Sequence, residues 1–271
     1  MFLSNKICFL ELHRTGSTHI SKLLKKYIPE GNQVGFHNRA TKDIYNSNLF
    51  FLGSVRNPWD WYVSTWGKGC DKIGITYKLL TQKKINFKNL GLRTKPWLSP
   101  YIFYQRLNKP ADEWLELYSD PKNKENFKRW LKLFLKKRIF DEQSGYGLSD
   151  ITKFCGHLSF RYLTLFLKDD RKLYNNSIKN FSDLKNLDQQ DNVLDYAIKS
   201  ENLEKEFLDF LIKLEIKINE QDKKNMYNLE KTNKSNRDHN YLSYYDQNTI
   251  DLVSEKEKLI IEKYNYGTPK I

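Results

Sequence analysis

The chain has 271 residues, of which 39% are hydrophobic and 14% aromatic, and this content predicts a packed globular protein rather than a disordered one. Its formal net charge of +13 at pH 7 predicts an anionic partner, such as a nucleotide, an acidic glycan or a nucleic acid. The sequence has no run of about 18 apolar residues and no signal-peptide pattern, so we expect a cytoplasmic protein without a membrane span.

The first predicted element is a buried strand over Lys6–Leu12, because five of its seven residues are apolar. An amphipathic helix follows, with a 3.6-residue apolar stripe of Ile20, Leu23, Leu24 and Tyr27. The turn between them, His13–Thr18, contains a glycine and opens directly into the helix. Such a turn directs backbone N–H groups and the positive end of the helix dipole at one point, which favours a phosphate or a sulfate. The turn lacks the Walker A pattern, and by itself it is equally consistent with a well-capped connection.

Two more strands are predicted in the first 60 residues. Gln33–His37 is a short strand, and Asn48–Val55 is mostly apolar, which predicts a central strand of a parallel sheet. Pro58 then begins a helix that buries Trp59, Tyr62, Val63 and Trp66. Both strand-to-helix turns would therefore open at the carboxyl edge of one sheet, where ligands bind in open α/β folds.

The remaining chain is predicted from its apolar spacing and its glycines. Gly67–Pro100 and Asn219–Asn240 lack apolar periodicity and are predicted loops, the second of which could close over a ligand. The other predicted elements are a helix at Asn123–Arg138, a buried aromatic segment at Leu158–Leu167, a strand at Val193–Ser200, and helices at Glu201–Leu214 and Asp246–Tyr264.

Two stretches resemble motifs of the sulfotransferase superfamily. Leu12–Thr18 (LHRTGST) resembles its 5′-phosphosulfate loop, and Val55–Ser64 (VRNPWDWYVS) resembles its 3′-phosphate motif R-N-P-x-D-x-x-x-S, in the same order and at a fitting separation. Glu201–Phe207 and Tyr244–Gly267 resemble late segments of the bacterial and Golgi-type branch. The resemblance is weakest from Gly67 to Asn192.

The resemblance implies an α/β, P-loop-kinase-like fold with a central parallel sheet flanked by helices and a helical cap on the acceptor side. It implies a single domain over 1–271, with a variable acceptor and cap region at 67–192 and a cofactor-covering loop at 219–240. It also implies an enzyme that moves the sulfuryl group of 3′-phosphoadenosine 5′-phosphosulfate (PAPS) to a hydroxyl or amine of a sugar or other small-molecule acceptor, with adenosine 3′,5′-bisphosphate (PAP) as product. The sequence does not identify the acceptor.

Matching positions carry the implied roles. Arg14 would contact the bridging oxygen and the leaving phosphate, and an arginine suits charge stabilisation better than proton donation. The implied donors to the 5′-phosphate are Thr15, Gly16, Ser17 and Thr18. The implied ligands of the 3′-phosphate are Arg56 and Ser64, and the implied residues of a loop closing over the nucleotide are Lys234 and Ser235.

His37 is the predicted catalytic base, because it ends the second predicted strand near the same sheet edge and Phe36–Thr41 resembles the family segment with a catalytic histidine. The alternative is a histidine that caps the strand through a backbone hydrogen bond. Glu11 is the second candidate base, and its other interpretation is a structural residue or an ion-pair partner.

Three other functions compete with sulfuryl transfer. A P-loop nucleoside or nucleotide kinase would share the fold, but the lysine after the glycine loop is missing. A basic nucleic-acid-binding protein would explain the charge, but the sequence has no helix-turn-helix, zinc or RNP-like pattern. A sulfotransferase fold retained only for binding is the third. We expect no metal, and the wide spacing of Cys8, Cys70 and Cys155 argues against a zinc site or a disulfide framework.

Overall fold

Five short strands form the sheet in a computed structural model that describes residues 1–83, 104, 107–136, 146–175, 177–228 and 236–271. The strands are β1 (Phe2–Leu3), β2 (Ile7–Phe9), β3 (Asn32–Gln33), β4 (Phe50–Val55) and β5 (Tyr196–Lys199). They pair in the order β3-β1-β2-β4-β5.

Twelve α-helices lie in the described residues and account for most of their regular structure. They are α1 (Ser17–Tyr27), α2 (Lys42–Tyr45), α3 (Pro58–Cys70), α4 (Ile75–Thr81), α5 (Ala111–Leu117), α6 (Lys124–Phe134), α7 (His157–Phe166), α8 (Phe181–Asp191), α9 (Leu203–Lys213), α10 (Glu220–Tyr227), α11 (Gln247–Lys256) and α12 (Lys258–Tyr264). The predicted α/β class is confirmed. None of the helices in the described ranges is long and apolar enough to cross a membrane.

The sheet is mixed, whereas a parallel one was predicted. β2, β4 and β5 are parallel neighbours, as the apolar runs predict, but β1 pairs antiparallel with both β2 and β3. Only three residues join β1 to β2, too few for a parallel crossover. This turn is closed by hydrogen bonds from Ser4 N to Ile7 O (2.9 Å) and from Ile7 N to Ser4 Oγ (3.1 Å).

The described residues divide into two compact units. The first contains Met1–Asn57, Leu165–Lys168 and Asp191–Lys234. Its core joins the sheet to α1 and α9 through Phe9, Leu23, Leu24, Leu52, Ile198, Phe207 and Phe210. The stripe predicted for α1 is therefore its buried face. One domain over 1–271 stays a prediction.

The second unit contains Pro58–Thr164, Asp169–Gln190 and Ser235–Ile271, and its core is aromatic. The largest buried side chains there include Trp59, Trp61, Trp66, Phe127, Trp130 and Phe134. The predicted loop from Gly67 is wrong at its start, since α3 continues to Cys70 and α4 follows. Gly69 is tolerated in α3 because the Tyr118 ring packs against it, and a Cβ there would lie 2.0 Å from a ring carbon. Residues 84–100 lie outside the described ranges.

The last predicted helix is two helices, α11 and α12, that meet at Glu257. The Glu257 carboxylate is fully buried and accepts hydrogen bonds from Leu158 N (3.0 Å) and Ser159 N (2.8 Å) in the first turn of α7. The Tyr62 hydroxyl also donates to it. The Glu257 carboxyl group thus satisfies N–H groups in the first turn of α7, and helix periodicity alone could not reveal this contact.

The loop predicted at Asn219–Asn240 is wrong for its first third, which forms α10. The Asn219 side chain caps this helix by accepting from Asp222 N at 2.7 Å, and Met226 is fully buried. Residues 229–235 lie outside the described ranges.

Candidate functional site

The carboxyl ends of three parallel strands meet at one edge of the first unit. β2 leads into the loop before α1, β4 leads into Arg56–Asn57, and β5 leads into the short 3₁₀ turn Ser200–Asn202. The register extends past β2, since Leu10 N donates to Leu52 O at 2.9 Å. The predicted convergence of two strand-to-helix turns at one edge is confirmed for the ends of β2 and β4.

Two residues of the loop after β2 have positive φ angles, which are uncommon for residues other than glycine. Arg14 (φ 63°) and Gly16 (φ 80°) both lie in the left-handed region. A Cβ at Gly16 would also lie 2.6 Å from Leu203 Cδ1, so the Leu203 side chain would have to move. For Arg14, this backbone costs on the order of 1 kcal/mol, which the surrounding contacts must offset.

The Thr15 side chain ties this loop to the sheet. It is fully buried, and its hydroxyl lies 2.7 Å from Leu12 O and 2.6 Å from Ser54 Oγ on β4. The sequence predicts Thr15 as a donor to a 5′-phosphate, but its side chain here points into the protein. Only its backbone N–H remains for the predicted role.

Helix α1 begins at Ser17, and its N-cap is Gly16, which has no side chain to cap it. His19 N and Ile20 N both donate to Gly16 O, at 2.9 and 3.1 Å. Ser17 N and Thr18 N are so close to the start of the helix that it offers them no backbone acceptor. The start of α1 therefore fits an anion, which its N–H groups and dipole would stabilise.

Arg56 joins this loop from the end of β4. One guanidinium N–H of Arg56 donates to the backbone carbonyl of Arg14 at 3.0 Å. The two arginines predicted to bind opposite ends of PAPS are therefore connected. Arg56 also supports the strained backbone of Arg14, a role that the sequence motif did not predict.

Glu201 adds a carboxylate to this edge that the sequence did not assign. Its Oε1 accepts a hydrogen bond from Asn57 N at 2.5 Å, one residue after Arg56. The sequence offered one indication of this role, because Glu201 directly follows the strand predicted at Val193–Ser200. This negative charge opposes an anion at Arg56.

His37 does not end a strand, contrary to the prediction. β3 stops at Gln33, and the positive φ angles of Gly35 (75°) and His37 (53°) bend the chain after it. The His37 ring stacks on His13, with 3.8 Å between centroids, and its Nδ1 lies 3.0 Å from Glu11 O. The structure therefore places His37 beside the residue that precedes Arg14.

Glu11 is buried, with 1% of its surface exposed. Its carboxylate accepts from Met1 N (2.5 Å), Ser21 Oγ (2.9 Å), Gln33 Nε2 (3.0 Å) and His37 N (3.2 Å). Burial opposes ionisation, but the hydrogen bonds from Met1, Ser21 and His37 and the positive charge of the Met1 ammonium outweigh it and lower the Glu11 pKa. These contacts fit the structural or ion-pair role, which the sequence left open beside the role of a base.

The other three predicted ligands are not among the described residues of the first unit. Ser64 is on α3 in the second unit and is 1% exposed. Lys234 and Ser235 lie outside the described residues. Arg237, which follows them, donates to Asp60 Oδ1 at 2.6 Å and so ties its segment to the first turn of α3. The predicted roles of Ser64, Lys234 and Ser235 stay predictions.

No protein-family model matches this chain, and it has no significant match among curated proteins or solved structures. In the described ranges, no group of three or more His, Cys, Asp or Glu side chains is placed to hold a metal ion. The function is therefore inferred from the motifs and from the geometry of the sheet edge.

Proposed function

We propose that this protein is a PAPS-dependent sulfotransferase acting on a hydroxyl or amine of a sugar or other small-molecule acceptor, with a P-loop-kinase-like fold. The proposal is supported above all by the hydrogen bond from the Arg56 guanidinium to Arg14 O at 3.0 Å. Arg56 directly follows β4, and Arg14 lies in the loop after β2. This hydrogen bond brings the two separate motifs of the resemblance to one sheet edge, where α/β folds bind nucleotides.

The loop and the start of α1 suit the phosphosulfate end of the donor. Gly16 N, Ser17 N and the Ser17 hydroxyl would donate to the 5′-phosphate, and the resemblance implies the same role for Thr18. Bound PAPS would supply an activated sulfuryl group on a phosphate leaving group. Arg14 would neutralise the charge left on the 5′-phosphate when its bridging bond to sulfur breaks and the acceptor oxygen bonds to sulfur.

His37 suits the role of the base that receives the acceptor's proton. Because a carbonyl oxygen only accepts, the contact between His37 Nδ1 and Glu11 O places the proton on Nδ1. The neutral ring then has its lone pair on Nε2. His37 Nε2 would take the proton of the acceptor hydroxyl as the new oxygen–sulfur bond forms.

A thermal-shift titration tests this function with PAP, ATP plus Mg²⁺, and AMP as ligands. PAP should raise the melting temperature of the wild type with the logarithm of its concentration, and Arg56→Ala should abolish this shift. Arg171→Ala is the matched control, because it removes an exposed arginine that pairs with its neighbour Asp169. Arg171→Ala should keep the full shift.

Two results would contradict the proposal. Absence of a PAP-induced shift in the wild type would remove the donor site. A shift with ATP plus Mg²⁺ alone would favour the kinase instead. If PAP binds, conversion of PAPS to PAP in the presence of a panel of sugars and phenols then tests transfer, and binding without conversion would indicate a fold retained only for binding.

A further inference from the structure

One residue, Glu11, holds His37 at two points. The Glu11 carboxylate accepts from His37 N at 3.2 Å, and the Glu11 backbone carbonyl lies 3.0 Å from His37 Nδ1. We propose that Glu11 is the positioning residue of the His37 base and that it fixes both the placement and the tautomer of the imidazole. The catalytic meaning of this inference rests on the proposed function.

Polar contacts, and not apolar packing, hold the segment that carries His37. Val34 and Phe36 are 45% and 72% exposed, so burial of these side chains contributes little to the position of the segment. Gln33 Nε2 instead bridges Glu11 Oε2 (3.0 Å) and Gly35 O (2.7 Å). The Glu11 carboxylate is thus the common acceptor that fixes the bend before His37.

The same carboxylate connects the base to the loop predicted to bind the donor. Its other oxygen accepts from Ser21 Oγ, in α1, at 2.9 Å. Glu11 lies three positions before Arg14, and His13 between them stacks on the His37 ring at 3.8 Å. Glu11 therefore helps to set the position of the His37 imidazole relative to this loop, together with Met1, whose terminal amine donates to Gly35 O at 2.9 Å and to Asn38 Oδ1 at 3.3 Å.

Nitrogen-15 NMR of the histidine side chains tests the inference without requiring turnover, with His37→Asn used to assign the His37 signals. In the wild type at a pH where the ring is neutral, His37 should be the Nδ1–H tautomer. Glu11→Ala should give mixed tautomers, since the His37 backbone is released. Glu11→Asp should do the same, because its shorter side chain cannot reach both Ser21 and His37 N.

Ser21→Ala is the matched control. It removes a hydrogen bond from the same buried carboxylate but leaves both His37 contacts in place, so the tautomer should stay as in the wild type. If Glu11→Ala does not fold, Glu11→Asp carries the test, because it retains a carboxylate. Unchanged His37 signals in the folded Glu11 variants, or an Nε2–H tautomer in the wild type, would overturn the inference.

Kinetics test the catalytic part. Glu11→Ala and Glu11→Asp should lower kcat on the order of 100-fold, the typical effect of misplacing a catalytic group by about 1 Å, while the affinity for PAP stays within about twofold. Full kcat in these variants would overturn the positioning role. Failure of the wild type to bind PAP would instead contradict the proposed function, and the NMR result would still decide the Glu11–His37 relationship.

Discussion

Arg56 donates a hydrogen bond to the backbone carbonyl of Arg14 at 3.0 Å, although the two residues are 42 positions apart. This contact makes Arg56 both a candidate anion ligand and a support for the loop that carries Arg14. A substitution at position 56 should therefore affect both ends of the predicted PAPS site.

Arg56→Lys should weaken PAP binding by about tenfold to 100-fold, because lysine retains the charge but loses the planar fork that can serve a phosphate and a carbonyl together. Calorimetric titration measures the affinity of the wild type and the variant. Equal affinities would mean that Arg56 contributes charge alone. Arg129→Lys, at an exposed position on α6 that pairs with Glu116, is the control and should bind PAP as the wild type does.

Gly16→Ala should destabilise the protein by about 2 kcal/mol or more, since alanine at φ 80° is strained and its Cβ would lie 2.6 Å from Leu203 Cδ1. The same change should weaken PAP binding by displacing the start of α1. Urea unfolding measures the free energy of unfolding. Gly267→Ala is the control, because nothing lies within 4 Å of a Cβ at that position, and an equal effect of both changes would contradict the strain argument.

Thr15→Val should lower the free energy of unfolding by about 1 to 3 kcal/mol, because it removes a buried hydroxyl bonded to Leu12 O and Ser54 Oγ. Ser54→Ala removes one partner of the same contact. A double-mutant cycle of the two changes should show coupling of about 0.5 kcal/mol or more. Additive effects would contradict a direct bond between the two hydroxyls.

Local pattern predicted the elements that frame this edge. The strand predicted at Lys6–Leu12 contains β2, the stripe predicted for α1 is its buried face, and the strand predicted at Asn48–Val55 contains β4, which is parallel to both of its neighbours. These predictions succeeded because each depends on residues close in sequence that share one buried face.

Apolar periodicity could not predict contacts between residues that are far apart in the sequence. The partners of Glu11 come from α1 and from the segment after β3, and those of Glu257 come from α3 and α7. A charged residue inside an apolar pattern signals that a partner must exist, but not which one. β1 was missed because two residues give no periodicity, and the Gly69 contact was missed because Tyr118 lies far along the chain.

Glu201→Gln should tighten PAP binding by up to about fivefold, because it removes a negative charge that bonds to Asn57 N beside Arg56, and such exposed interactions contribute up to about 1 kcal/mol. The gain should shrink at high salt, where exposed charges are screened. Glu30→Gln makes the same charge change at an exposed position and should leave the affinity unchanged. Weaker binding in Glu201→Gln would instead assign this carboxylate a supporting role.

Glu257 should make stability depend on pH. Burial raises the pKa of Glu257 above the ordinary value of 4.5. At a pH between 4.5 and this raised pKa, Glu257 is protonated in the folded protein and ionised in the unfolded chain. The stabilisation is complete below 4.5 and is lost as the pH rises through the raised pKa. The free energy of unfolding of the wild type relative to Glu257→Gln should therefore fall with rising pH. Glu255→Gln changes an exposed carboxyl group near the end of α11, and its free energy of unfolding should follow the same pH dependence as that of the wild type.

The path of the chain through the two units limits the order in which they can form during synthesis. The first unit needs β5 and α9, which follow residue 190, and the second needs α11 and α12 at residues 247–264. Until those segments leave the ribosome, β4 has no neighbour on one edge and the first turn of α7 has no Glu257 carboxylate. A nascent chain shorter than about 200 residues lacks β5 and therefore exposes an apolar strand edge that a chaperone would recognise. Contacts across such long separations also form slowly once the whole chain is present.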